Sequence, residues 1–228
     1  MMDNSIFDVG GNGLEKCFDV NGTEAHTAYD TNGAVKYTGG IGVRSRTETR
    51  IRDWKFKLVT TKTGQVYDNS GTAAEYDDST WDSVRVPYDW SIRLDYNANS
   101  PASSKGGYLD GGIGVFRTKV NVDLTKRSVL KFDGTYMETS VYLNGTLVKR
   151  NYWNNPYEIT LNDCASCVDG ENSVAVVIRS DQPNARWYPG AGIIRPVTLV
   201  EYEDISEVAI RNIVVTTPNL SSEHDSVV

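Results

Sequence analysis

The sequence predicts an all-β fold, a sandwich or jelly roll, on three observations. Apolar residues recur with a period of two through the middle of the chain, turn residues separate the short runs, and helical spacing is scarce. Alternation marks a strand that buries one face, because successive side chains point to opposite sides of a sheet. The 228 residues suffice for one good core, since single all-β domains run to roughly 200–250 residues.

From the N-terminus, residues 1–49 are a Gly/Asn-rich extension poor in large aliphatics. It holds a faint repeat at a spacing of eleven residues: Phe7-Asp8-Val9-Gly10-Gly11, Phe18-Asp19-Val20-Asn21-Gly22 and Tyr29-Asp30-Thr31-Asn32-Gly33. Asp and Asn so spaced could cradle calcium, but the closing bidentate Glu of a calcium loop is missing. Three strand-and-turn units on the domain edge are therefore the preferred reading.

Residues 50–205 carry the sandwich. Trp54, Phe56 and Leu58 alternate with Asp53, Lys55 and Lys57, and Phe116, Thr118, Val120 and Val122 alternate with Arg117, Lys119 and Asn121. Leu130 and Phe132, then Tyr157, Ile159 and Leu161, then Val174, Val176 and Ile178 repeat the arrangement. Val141-Tyr142-Leu143 and Thr146-Leu147-Val148 flank Asn144-Gly145 and read as a hairpin, because Asn-Gly accepts the positive φ angles of a type I′ turn. Residues 206–228 begin a fresh strand, Val208 to Pro218, and start another at Asp225, so the chain is expected to stop inside a second domain.

Charge and composition narrow the partners. Thirty acidic against 23 basic residues give a net charge of −7, which opposes the phosphate neutralisation that nucleic-acid binding needs. No run approaches the roughly 20 apolar residues that cross a bilayer, so neither nucleic acid nor membrane is an expected partner. The start lacks a signal peptide's basic and apolar stretches; a removed signal leaves the compartment open between cytoplasmic and secreted. Cys164-Ala-Ser-Cys167 lies in a Gly/Asp-rich connection, whereas a redox CxxC opens a helix. Zinc needs about four ligands, yet no second CxxC exists and His26 and His224 lie near the two ends. The pair reads as incidental or as a locally disulfide-closed turn, and no metal or cofactor is expected.

Several segments, in order and spacing, resemble glycoside hydrolase family 2 of the β-galactosidase type. They are Tyr76-Asp77-Asp78-Ser79-Thr80-Trp81 with Val86-Pro87-Tyr88-Asp89-Trp90, Gly107-Tyr108-Leu109-Asp110-Gly111-Gly112-Ile113-Gly114 through Arg117, Phe132-Asp133-Gly134-Thr135-Tyr136-Met137, and Gln182-Pro183-Asn184-Ala185-Arg186-Trp187-Tyr188-Pro189-Gly190-Ala191-Gly192 through Val197. The last is the most specific. Tyr88 stands where the family usually has His, and Val115 where it usually has an aromatic.

The resemblance implies an N-terminal, galactose-binding-domain-like jelly roll, then an immunoglobulin-like domain and a (β/α)₈ barrel holding two catalytic glutamates. A retaining glycosidase sets its two carboxyl groups about 5–5.5 Å apart. No residue of this chain is assigned that task.

It also implies a carbohydrate ligand, a terminal β-galactoside, and makes the downstream domains and a homo-oligomer the other partners. Within the 181–192 loop, Asp181 and Asn184 suit sugar hydroxyls, Arg186 adds a fixed fork of donors, and Trp187 and Tyr188 offer aromatic faces. Tyr108 and Asp110 on the glycine-rich loop are further candidates, and Asp89 reads as an anchor for the Trp90 loop. The bland alternatives are Arg186 paired at an interdomain surface and Trp187 plugging the sandwich end. Rival readings of the whole are a free-standing carbohydrate-binding module or lectin, a structural or oligomerisation domain, and a β-glucuronidase or other family 2 specificity.

Overall fold

A computed structural model describes the backbone strands at 27–29 and 35–37 and residues 46–203 apart from 185, 186 and 189. Its strands are β1 (Thr27–Tyr29), β2 (Val35–Tyr37), β3 (Arg46–Arg50), β4 (Asp53–Thr60), β5 (Asp82–Arg85), β6 (Tyr88–Asp89) and β7 (Gly112–Val122). There follow β8 (Arg127–Phe132), β9 (Glu138–Leu143), β10 (Thr146–Tyr152), β11 (Tyr157–Thr160), β12 (Gly170–Ser180), β13 (Gly192–Ile193) and β14 (Val197–Tyr202).

Two antiparallel sheets make the jelly-roll sandwich, a six-stranded one in the order β10-β9-β12-β7-β4-β5 and a four-stranded one in the order β11-β8-β14-β3. Short 3-10 turns interrupt the connections, and among the described residues no helix is long and apolar enough to cross a membrane.

The alternating residues meet between the sheets as expected. Trp54, Phe56, Phe116, Val120, Val141, Leu143, Val176 and Ile178 come from one sheet, and Leu130, Phe132, Tyr157, Ile159, Val197 and Leu199 from the other. Phe56 packs on Phe116 at 4.7 Å between ring centroids, and Phe132 stacks on its cross-strand partner Tyr157 at 4.9 Å. Burying such side chains stabilises by about 1.5–3 kcal/mol each, which makes this face the main reason the strands pair in this register. Leu161 is buried too, though in a 3-10 turn just after β11. At the β9–β10 hairpin Asn144 and Gly145 have φ of 48° and 81°, the positive pair that a type I′ turn demands.

Two features depart from the alternation. Arg117, expected on a solvated outer face, is only 3% exposed. The connection from β4 to β5 folds over that face and seats Trp81, Tyr67 and Tyr76 against Ile113, Val115 and Val177, so β7 is covered on both sides. The expected boundary at residues 49 and 50 falls inside β3, which pairs with β14 from Thr198↔Arg50 to Tyr202↔Arg46. This strand, Arg-Thr-Glu-Thr-Arg, has exposed side chains throughout and offers no apolar signal by which to place it.

Of the repeat, Tyr29 alone is among the described residues, at the end of β1, which pairs antiparallel with β2 from Thr27↔Tyr37 to Tyr29↔Val35. The first two units, Cys17 and the strand expected at 208–218 lie outside the described residues, as does the rest of 206–228.

Candidate functional site

The loop singled out from sequence leaves β12 at Ser180 and returns as β13, which pairs with β6 through Gly192↔Asp89 and Ile193↔Tyr88. This pairing brings the 86–94 segment against the 181–194 segment. Trp90 donates from its ring N–H to Gly111 O over 3.0 Å, and Ser91 Oγ donates to Asp110 O. Three separate stretches of sequence therefore converge at this end of the sandwich.

Tyr188 O–H donates to Asp89 Oδ1 over 2.8 Å, and the backbone N–H of Ser91 donates to the same oxygen over 3.0 Å. Asp89 thus anchors the Trp90 loop as expected, and it also tethers the 181–192 loop. Burial pushes its carboxyl above the usual aspartate range, while the bonds from Tyr188 and from backbone N–H groups pull partly back. Burial likewise pushes the Tyr188 phenol up. Beside the pair opens a recess of about 470 Å³ lined by Tyr88, Asp89, Arg93, Tyr188 and Gly190 among others. Tyr88, at the position where the resemblance leads one to expect His, lies under the Arg93 guanidinium at 4.7 Å, a cation–π contact.

The remaining candidates divide. Asn184 accepts from Tyr136 O–H over 3.3 Å and reaches Ser180 Oγ at 3.5 Å. Asp181 is half-buried, and its Oδ1 is a buried acceptor with no hydrogen bond among the described residues. Trp187 is 69% exposed, so it does not plug the sandwich. Arg186 lies outside the described residues. Asp110 accepts from Asn97 Nδ2 over 2.8 Å and holds its own loop; Tyr108, at φ 60°, is 43% exposed.

A Cβ on Gly111 would collide with Ser180 O, so close backbone approach accounts for that glycine. Tyr136, fully buried and with its phenol pushed up to about 12 by desolvation, was visible in sequence only as part of the Phe-x-Gly-x-Tyr-Met element. Its bond to Asn184 is a tertiary fact. Cys164 and Cys167 carry free thiols, which leaves the incidental reading of that pair and removes the disulfide one.

No family model matches the chain. A putative beta-glucuronidase of Formosa agariphila is 37% identical over 130 residues, 55% of this chain and 12% of the relative. The beta-galactosidase BoGH2A of Bacteroides ovatus is 36% identical over 152 residues, 64% of this chain and 17% of the relative. Among solved structures, a glycosyl hydrolase family 2 member from Bacteroides cellulosilyticus superposes with a TM-score of 0.59 at 27% identity, covering 70% of this chain and 20% of that one. The sandwich resembles those of glycoside hydrolase family 2 members. The chain spans less than a fifth of the length of either curated relative. A beta-glycosidase from Bacteroides vulgatus matches it comparably, with a TM-score of 0.59 and 26% identity over 69% of the chain.

Proposed function

We infer that this chain is the sugar-binding sandwich of a retaining exo-glycosidase that releases terminal β-galactosyl units, its 181–192 loop forming one wall of the sugar pocket. The observation that carries the reading is Asp181 Oδ1, a buried acceptor with no donor among the described residues. Such a group is costly unless it is paired, and a sugar hydroxyl is the donor that this reading supplies.

In the proposed pocket Asp181 and Asn184 orient hydroxyls, Arg186 adds a charged fork, and Trp187 and Tyr188 give faces for the sugar's C–H surface. Tyr188 is held in place by Asp89. The acid/base and nucleophilic carboxylates belong to a barrel domain, and the sandwich's task is to position and support. A β-glucuronide is the second reading, favoured by the 37% identity to a relative named as a putative beta-glucuronidase.

Two measurements test this. The 228-residue chain should leave chromogenic β-galactosides and β-glucuronides intact, because in this reading the paired carboxylates for the two steps belong to the barrel; contaminant-free turnover would overturn the reading. The coding sequence after Val228 should encode a barrel, and Asp181→Ala in that whole protein should lower kcat/KM about ten- to a hundred-fold. A stop codon there, or unchanged efficiency with a lowered melting temperature, would return the loop to a structural or lectin-like role.

A further inference from the structure

We propose that the outer face of the six-stranded sheet carries a second carbohydrate site, for a sugar unit bearing a carboxylate. It lies between residues 66–69 of the connection from β4 to β5 and the strands β9, β10 and β12. There a groove of about 240 Å³ opens between Tyr67 on the connection and the strands beneath. That is just under the roughly 300 Å³ of pockets enclosing a drug-sized ligand, a size for one sugar ring in an open groove.

The register assembles the groove. Ser140 lies between Arg150 on β10 and Val177 on β12, and in the next row Glu138 lies beside Arg179. Glu138, Ser140 and Tyr142 occupy alternate positions of β9 and share this face. A bulge between Leu147 and Lys149 shifts the register of β10, and with it Arg150 comes opposite Ser140 rather than opposite a core-facing residue.

The chemistry points to an anion held within a polar ligand. Among the described residues Arg150 makes no side-chain hydrogen bond or ion pair, and Arg179 has only Glu138, at 4.0 Å. Two guanidinium forks against one carboxylate leave a local positive balance on a chain of net charge −7. Arg pairs with carboxylate through two parallel hydrogen bonds. Glu138 and Ser140 then suit the hydroxyls of the same unit, and the half-buried Tyr142 ring at the groove edge suits its C–H face. A uronate residue combines all three features. None of the lining residues belongs to the 181–194 loop, so the site stands independently of the pocket proposed above.

The test titrates the 228-residue chain with methyl β-glucuronide and with its neutral isostere, methyl β-glucoside, followed by amide NMR shifts. Shifts at Tyr142 and Ser140 are expected with the uronate, and binding about ten- to a hundred-fold weaker with the neutral sugar or in Arg150→Gln. Asp181→Asn should leave this binding unchanged. Arg179→Lys, which keeps the charge and loses the fork, is the second variant should Arg150→Gln melt early. Equal binding of the neutral sugar, tighter binding of a sulfated one, shifts confined to other strands, or loss of binding in Asp181→Asn would each overturn the proposal.

Discussion

Tyr188 donates its hydroxyl proton to Asp89 Oδ1 over 2.8 Å, tying together residues 99 positions apart in sequence. The bond closes the 181–192 loop onto β6 and explains why a carboxylate tolerates this half-buried place. Its consequences are electrostatic. An aspartate whose native pKa is raised keeps its proton in the folded state at a pH where the unfolded chain has already lost it. It therefore contributes stability below the unfolded value, and that stability is lost as pH rises through the native one.

Asp89→Asn removes this dependence. The melting temperature of the parent relative to Asp89→Asn should fall as pH rises from the ordinary aspartate value of 3.8 through the native value, then level off. Tyr188→Phe removes a bond that lowers the pKa, so carbon NMR should find Asp89 titrating higher in that variant, with about 1–2 kcal/mol less stability. A parent curve parallel to that of Asp89→Asn at every pH would show that the carboxyl titrates normally.

Arg117 is the polar centre of the outer face. It donates to Asp78 Oδ2 over 2.8 Å, to Gly71 O over 2.7 Å, to Ala73 O over 2.9 Å and to Ala74 O over 3.2 Å. Arg117→Met should cost about 2–4 kcal/mol in urea unfolding, toward the low side for a broken buried pair, because Asp78 keeps some access to water. Adding Asp78→Asn should recover part of that loss. A single substitution without effect would mean that water replaces the guanidinium.

Gly111 sits where Ser180 O approaches too closely for any Cβ. Gly111→Ala should lower stability by about 1–3 kcal/mol, or roughly 2–10 °C in Tm, because the obstacle is backbone at the end of β12 rather than a flexible side chain. A melting temperature equal to the parent's would show that the strand end yields.

Desolvation by burial raises the thiol pKa of both Cys164 and Cys167. At neutral pH they should therefore react with iodoacetamide more slowly than a free cysteine, since the thiolate is the nucleophile. Their rates should still be climbing at pH values where that of the free amino acid has levelled off. A rate at or above the free amino acid's would place the thiols in an activating environment instead.

The sandwich was legible in sequence because alternation is local: Phe56, Phe116 and Val176 record in their spacing which face turns inward, and Asn144-Gly145 fixes its hairpin by the φ angles it tolerates. The candidate loop was legible as a polar and aromatic run, with Asp181, Asn184, Trp187 and Tyr188 named from composition and family likeness. What the tertiary structure decided is how these residues are occupied. Periodicity reports one buried face and is silent about a connection that folds back over the other, so Arg117 read as solvated although it is 3% exposed. Hydrogen bonds between distant segments leave no spacing signature, and so the bond of Tyr188 to Asp89, that of Tyr136 to Asn184, and the Asp181 oxygen left without a donor among the described residues emerged only in three dimensions. That Arg150 shares a face with Arg179 depends on a one-residue bulge in β10. Such a shift exchanges the two faces of a strand, and only the pairing of strands in space sets where it falls.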